Sequence, residues 1–462
     1  MIITIKNMIH IPTMDINLVP IVAQELTCEN PLYNEALKAG RYTRGILPEL
    51  KNFFVDNHGG FHLPRGYLSR LFVVANDLGI PIEVNDLRSV VPFEQRYEHS
   101  IFLRDYQNKA LSNIAQHSEG LLVAPAGSGK TIIGISLILM CGQKCLWITH
   151  TKQLLHQFVD RIKQFVDIGE DDIGLIYKGD WDTGKPITAA LVQTLVRNED
   201  KLQIISDAFG TVIVDEAHHC PSTTFTKVIN SLNPFYMYGL TATPKRRDGL
   251  EEVMLQNVGP VIHKIPRTAV AAGIITPIVL PRYIDSVPET MDCTYQTLLK
   301  NLVDNEKRTN IIVKDVIAEA KKGNICIVTT ERVHHAEILY SRLKVLWPKT
   351  TMIIGKHKEE DRQTALEQLE SGAATVLICT SHLLGEGFDY APLNRLFITL
   401  PFRNPARCEQ LVGRVQRTSP EKLDAWIYDY IDNHGLTRHQ FRNYSGKDCR
   451  YNVYRNLGCT IK

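Results

Sequence analysis

The 462-residue sequence has no CxxC pair, and none of its ten cysteines groups with histidine at zinc-ligand spacing. That excludes a zinc finger and a thioredoxin-like redox motif. Several cysteines sit in apolar runs, as Cys326 does in NICIVT and Cys379 in VLICT. They read as reduced, buried thiols. Long hydrophobic runs are missing too. The longest, around IIGISLILM, falls far short of the roughly 20 residues that cross a bilayer. The N-terminus, MIITIKNMIHIPTMD, lacks a basic segment followed by a long apolar core, so it does not read as a signal peptide. Charge of one sign is not in excess: 52 Lys and Arg against 50 Asp and Glu give +2. A uniform polycation is excluded, and any nucleic-acid binding must come from local patches. Fixed-period repeats and low-complexity tracts are also absent. These absences point to a cytoplasmic protein with no membrane partner.

What is present is alternation. The length suggests about three domains at roughly 150 residues each. Apolar, β-rich runs alternate with helical patterns in two series. GLLVAP, KCLWIT, TAALV, GTVIVD and FYMYGLTA form the first; NICIVT, TTMIIG, ATVLIC, RLFITL and AWIYDY form the second. Nearly continuous apolar strands are the mark of parallel sheets covered on both faces. The expected fold class is therefore α/β, with two tandem lobes of parallel sheet over residues 96–275 and 276–435. The stretch AAGIITPIVLPRYIDSVPET between them holds three prolines and is expected to be a hinge. Residues 1–95, punctuated by Pro, Asn and Gly, read as a small α+β accessory domain. Residues 436–462 form a basic, aromatic-rich tail.

Two motifs carry chemistry. APAGSGKT, Ala124 to Thr131, fits GxxxxGK[ST] with Ala124 in place of the first glycine. It follows an apolar strand and opens a helical run, which is the context a phosphate loop requires. Backbone N–H groups of Ala126, Gly127, Ser128 and Gly129 would curl around phosphate oxygens, Lys130 would reach the β and γ phosphates, and Thr131 would ligate Mg²⁺. VIVDEAHH places Asp215 and Glu216 at the end of an apolar strand. Asp215 would complete the Mg²⁺ shell, and Glu216 would orient or deprotonate the attacking water. Together they specify hydrolysis of ATP or GTP.

Taken in order, further segments resemble those of the superfamily 2 helicases and translocases, whose lobes are RecA-like. LRDYQ is similar to the family's adenine-binding element, and the resemblance implies that Arg104 and Gln107 contact the base. The DEAH box (Asp215, Glu216, Ala217, His218) follows the phosphate loop. GLTATPKRRDG resembles the coupling motif, implying that Thr241, Thr243 and His218 link the ATP site to the track. TSHLLGEGFD, Thr380 to Asp389, resembles a motif touching both backbone and ribose, with Gly387 and Asp389 on the nucleotide side. QLVGRVQR matches QxxGRxxR, which makes Gln410, Arg414 and Arg417 catalytic candidates and the two arginines fingers on the nucleotide. Arg414 and Arg417, three apart, are expected to share a helix face.

Nucleic-acid contacts implied by the resemblance are Thr151, Lys152 and Gln153 in THTKQLLHQF, Thr194 in VQTL, and Arg332 and Thr380 in the second lobe. Such contacts read phosphates rather than sequence. The form GLTATPKRRDG resembles the XPB-like branch, and NPLYNEALKAGRYTRG and FHLPRGYL resemble the N-terminal domain of phage UvsW-type branch-migration helicases. The expectation is a Mg²⁺- and ATP-dependent DNA helicase or translocase acting on forked or branched DNA, in the host cytoplasm if phage-encoded. An RNA helicase and a nucleic-acid-binding ATP switch that clamps without unwinding are the alternatives. The N-terminal arginines, Arg41, Arg44, Arg65 and Arg70, serve either to grip DNA or as a structural face. The tail's Arg and aromatic residues suit either nucleic acid or packing on the second lobe.

Overall fold

The computed structural model describes residues 1–462 except 41, 126, 217–221, 243–249, 272–274, 287–293, 358, 381–389, 420–421 and 443–448. The chain forms two compact units, Met1–Pro266 and Arg267–Lys462.

The first unit begins with seven short strands: β1 (Ile2–Ile5), β2 (Met8–Ile11), β3 (Thr27–Glu29), β4 (Glu49–Lys51), β5 (Phe54–Val55), β6 (Phe61–Pro64) and β7 (Glu83–Asp86). Five of them make a mixed sheet in the order β5-β6-β2-β1-β7, and β3 and β4 pair separately. Period-two patterning fixes its faces: Ile3, Ile5, Ile9 and Ile11 are buried on one side, so His10 falls on the other. This small domain docks on the next sheet through LPRGYL. Gly66 lies where a Cβ would come within 2.2 Å of the Gly259 nitrogen, an approach only glycine permits. Arg65, 1% exposed, pairs with Glu119 at 2.9 Å and donates to the carbonyls of Pro234 and Phe235. Arg65 is therefore structural and not available to DNA. Arg70 pairs with Glu25 at the surface.

The sheet of the first α/β lobe contains β8 (Glu119–Val123), β9 (Cys145–Thr149), β10 (Ile173–Tyr177), β11 (Asp180–Trp181), β12 (Ile187–Leu191), β13 (Thr211–Asp215), β14 (Tyr236–Thr241) and β15 (Val261–Lys264). Their order is β11-β10-β12-β9-β13-β14-β8-β15, parallel except for β11. Every residue of β8, β9 and β13 is buried.

The second unit holds β16 (Ile278–Ile284), β17 (Cys326–Thr330), β18 (Thr350–Ile353), β19 (Val376–Thr380), β20 (Arg395–Ile398), β21 (Trp426–Asp432) and β22 (Thr460–Ile461), all parallel in the order β18-β19-β17-β20-β21-β16-β22. Alternate residues feed two cores. Ile327, Leu377 and Leu396 enter one, while Cys326, Val328, Val376 and Ile378 enter the other. Helices cover both faces, which is why these strands read as unbroken apolar runs.

The stretch expected to be a hinge contains β16, which pairs with β21 over seven residues. Its Pro281 is tolerated for a local reason. Val279 accepts from Lys462 on the β22 side, and Pro281, two residues on, points the same way, away from β21. No ladder bond to β21 is lost. The tail is likewise part of this unit. Arg450, 2% exposed, pairs with Asp429 at 2.8 Å, the Tyr454 hydroxyl donates to the same carboxylate, and β22 extends the sheet. Packing accounts for Arg450 and Tyr454.

The described cysteines are all free, six of them buried. Among the described residues no helix is long and apolar enough to cross a membrane.

Candidate nucleotide site and nucleic-acid edge

In a parallel sheet every strand delivers its last residue to the same edge, and that edge is where α/β folds bind ligands. Adjacent strands β8, β14 and β13 deliver the phosphate loop, Thr241 and Asp215 there. The Ala124 N–H donates to the Thr241 carbonyl at 2.8 Å, so the loop's root is stitched to the coupling motif. Gly127 and Gly129 have φ of 80° and 78°, the left-handed turns that aim successive N–H groups inward. Gly129 caps the helix Lys130–Cys141. The Ser128 hydroxyl is buried with no hydrogen-bond partner among the described residues. Ala126 lies outside them.

Gln107 holds this loop from below. Its Nε2 donates to the Ser128 carbonyl at 2.8 Å, and its Oε1 accepts from the Arg104 N–H at 2.8 Å. A Cβ on Gly129 would meet Gln107 Nε2 at 2.5 Å. Tyr106, which no sequence motif marks, also donates to the Ser128 carbonyl, at 3.3 Å. Arg104 is exposed and reaches the Tyr106 hydroxyl at 3.2 Å. Phe102, 94% exposed just before it, leaves an aromatic face in solvent beside the expected base-binding element.

The charged centre is compact. Lys130 Nζ lies 2.9 Å from Glu216 Oε1 and 3.4 Å from the Ala124 carbonyl. Glu216 has φ of 50°, a strained value for a non-glycine residue, and its Oε2 accepts from the Ala242 N–H at 3.4 Å. The Ala242 contact, which no motif spacing predicts, ties the coupling motif directly to Glu216. Burial, and then the neighbouring Glu216 charge, push the Asp215 carboxyl up to about 7, against the pull of Lys130. A cation beside a desolvated carboxylate reverses that shift. Glycine turns, an orphaned Ser128 hydroxyl, a lysine and a desolvated carboxylate fit a nucleoside triphosphate with Mg²⁺. Thr131 follows Lys130 at the helix start and is half-buried. Of the expected coupling residues, Thr241 is buried at this centre, and His218 and Thr243 lie outside the described residues.

Further along the same edge lie the candidates for the nucleic-acid track. Thr151 caps the helix Lys152–Phe165, accepting from the Leu154 N–H at 3.4 Å. β9 and β12 are neighbours, with Leu191 opposite Thr149, so Thr194, on the helix Val192–Arg197, follows from the adjacent strand end. Gln193 Nε2 donates to the His150 carbonyl at 2.9 Å and joins the two loops. Thr151, Lys152, Gln153 and Thr194 are thus brought to one sheet edge, half-buried.

In the second unit, Thr330 and Thr380 end adjacent strands β17 and β19 in register. Arg332 opens the next helix and donates to Gln296. Arg332 and Thr380 therefore share one edge; Gly387 and Asp389 lie outside the described residues. Gln410 and Arg414 are half-buried on the helix Pro405–Val415, which Asn404 caps. That helix ends before Arg417, which leaves from the turn after the C-cap Gln416. The expected common helix face thus holds only as far as Val415. Lys422, unnoticed in the sequence, pins this exit by donating to the carbonyls of Arg417 at 2.7 Å and Ala391 at 3.3 Å. Burial, then Arg417, lower its amine to about 7.

Comparison with known proteins agrees with this geometry. The family described as "Type III restriction enzyme, res subunit" matches residues 100–246, and "Helicase conserved C-terminal domain" matches 307–419. "Probable helicase D10" of Escherichia phage T5 is 28% identical over 332 residues, 72% of this chain and 70% of that protein. "DNA 3'-5' translocase XPB2" of Sulfurisphaera tokodaii is 29% identical over 375 residues, 73% of this chain and 83% of that protein. The Pyrococcus furiosus Hef helicase domain shares the fold, with a TM-score of 0.50 and 14% identity over 71% of this chain and 95% of that one. With both conserved modules in order on two α/β sheets, the chain belongs to the superfamily 2 helicases, ATP-driven motors that act on nucleic acid.

Proposed function

We propose that this chain is a DNA translocase that remodels forked or branched DNA, by fork regression, branch migration or unwinding. The observation that carries the hydrolytic part is the Lys130–Glu216–Ala242 chain of contacts, which joins phosphate loop, water-activating carboxylate and coupling motif. In this reading Lys130 binds the β and γ phosphates and Glu216 receives the proton of the attacking water. Gln410, Arg414 and Arg417 act on the transferred phosphoryl, and the two arginines stabilise its developing charge. Arg104 and Gln107 hold the base end; one N–H and one lone pair of Gln107 remain for it. Thr131 and Asp215 would hold Mg²⁺, which would supply charge neutralisation to the phosphates. Thr151, Lys152, Gln153, Thr194, Arg332 and Thr380 contact backbone phosphates without reading bases.

The choice of DNA rests on the XPB-like form of GLTATPKRRDG and on the name of the archaeal relative. The choice of branched DNA rests on the UvsW-like N-terminal segments. Fork regression and strand displacement, measured with ATP and Mg²⁺ on a labelled replication-fork substrate, test both. Wild-type protein is expected to convert the fork and Glu216→Gln to leave it intact. Turnover on RNA alone would make it an RNA helicase. ATP hydrolysis with no strand movement would make it a clamp.

A further inference from the structure

The motor reading leaves the outer face of the N-terminal sheet unused, yet three metal-capable side chains converge there. Antiparallel pairing of β2 with β6 sets His10 directly opposite His62. β5 pairs with β6 on the far side, and the turn between them supplies Asp56. His10, Asp56 and His62 offer ligand atoms that all lie within 4.8 Å of one another, each half-buried. We propose that His10, Asp56 and His62 bind a divalent cation of the zinc class, which cross-links the β5–β6 turn to β2.

The carboxylate-to-imidazole separations lie near those of a tetrahedral ion. Bonds of about 2.0–2.2 Å place two tetrahedral ligands roughly 3.3–3.6 Å apart. Asp56 Oδ2 lies 3.0 Å from His62 Nε2 and 3.6 Å from His10 Nε2. A hydrogen bond accounts for the first separation and not for the second, so two imidazoles converge on one carboxylate oxygen. The ligands are also held in place. Asp56 Oδ1 accepts from the His58 N–H at 2.8 Å and the Gly60 N–H at 3.0 Å, which turns Oδ2 toward the histidines. Phe54 stacks on His62 with ring centroids 4.4 Å apart. Such supporting contacts set ligand orientation in metal sites. Gly60 completes the cradle, because a Cβ there would lie 2.8 Å from both Asp56 Oδ2 and His10 Nε2. Two imidazoles and one carboxylate suit Zn²⁺, Co²⁺ or Ni²⁺; Mg²⁺ and Ca²⁺ prefer all-oxygen shells. The site thus differs in chemistry from the Mg²⁺ position at Asp215, and water fills the fourth coordination position.

The test is calorimetric titration of the full-length chain, stripped with chelator and free of nucleotide, with Zn²⁺. Wild-type protein is expected to bind one equivalent that His10→Gln/His62→Gln binds at least about tenfold more weakly. Gly60→Ala should lose the same equivalent. Zn²⁺ should raise the melting temperature of wild type and not of the variants, whose metal-free melts report whether they fold. Mg²⁺-dependent ATP hydrolysis should be unchanged in the double variant. Absence of stoichiometric Zn²⁺ binding to the wild-type chain overturns the proposal whatever the variants do, as does equal binding by folded His10→Gln/His62→Gln.

Discussion

Lys130 and Glu216 face each other at 2.9 Å, so each is held where a phosphate or a water would otherwise hold it. Replacing Glu216 by Gln removes the proposed proton acceptor and keeps the shape. ATP affinity is expected to persist while hydrolysis falls by about 10²–10⁴-fold, measured by single-turnover ATPase beside nucleotide binding. Gln107 acts differently: its amide supports the Ser128 carbonyl from beneath the loop. Gln107→Ala is expected to raise KM for ATP more than it lowers kcat, since it loosens the phosphate loop and leaves Glu216 in place. Steady-state kinetics separates the two. The sequence marks Lys130 and Glu216 as candidates, because the phosphate loop and DEAH box demand particular atoms at particular spacings. It is silent on Gln107 beneath Ser128 and on Ala242 against Glu216. Those contacts join segments 21 and 26 residues apart, and only the fold brings them together.

Elements divide along the same line. All ten strands expected from continuous apolar runs are present, and they include every interior strand of the two α/β sheets except β10 and β16. The ones that escaped are at or near sheet edges, where one face or one side meets solvent and the apolar run breaks up. β10 alternates half-buried and buried residues, and β15 exposes both ends. β16 escaped because Pro281 reads as a breaker unless its nitrogen is known to face away from β21. Arg65 in LPRGYL reads in sequence either as a DNA grip or as a structural face, and its burial against Glu119 decides for the second. Arg65→Ala would leave Glu119 charged and unpaired in a buried position, at a cost of about 3–5 kcal/mol. Urea unfolding should show that loss, and limited proteolysis should then cut between the N-terminal domain and β8. The helix after β17 carries a second liability. His335 is fully buried, its Nδ1 2.8 Å from the Thr330 hydroxyl, and burial followed by the Arg308 charge holds it down to about 3. The unfolded chain takes up that proton near pH 6.5 and the folded chain does not, so stability is full above pH 6.5 and falls as pH drops toward 3. Urea titrations should show up to about 1.4 kcal/mol lost per pH unit between pH 6.5 and 5, and His335→Gln should flatten that slope.

At the scale of the whole molecule, two α/β sheets present the candidate site residues at strand ends, and the small N-terminal domain is anchored to the first through Arg65, Gly66 and Gln256. With a net charge of only +2, attraction to a polyanion depends on where its charges stand, and salt should weaken it steeply. The central claim is that ATP turnover answers to DNA, and to branched DNA above other forms. The most direct measurement is the initial ATPase rate of the full chain, at one salt concentration, on single-stranded, duplex, forked and four-way DNA and on RNA. Forked or four-way DNA is expected to give the highest rate, with Lys130→Ala at background on every substrate. A rate raised by RNA alone, or a basal rate that no nucleic acid changes, would contradict it.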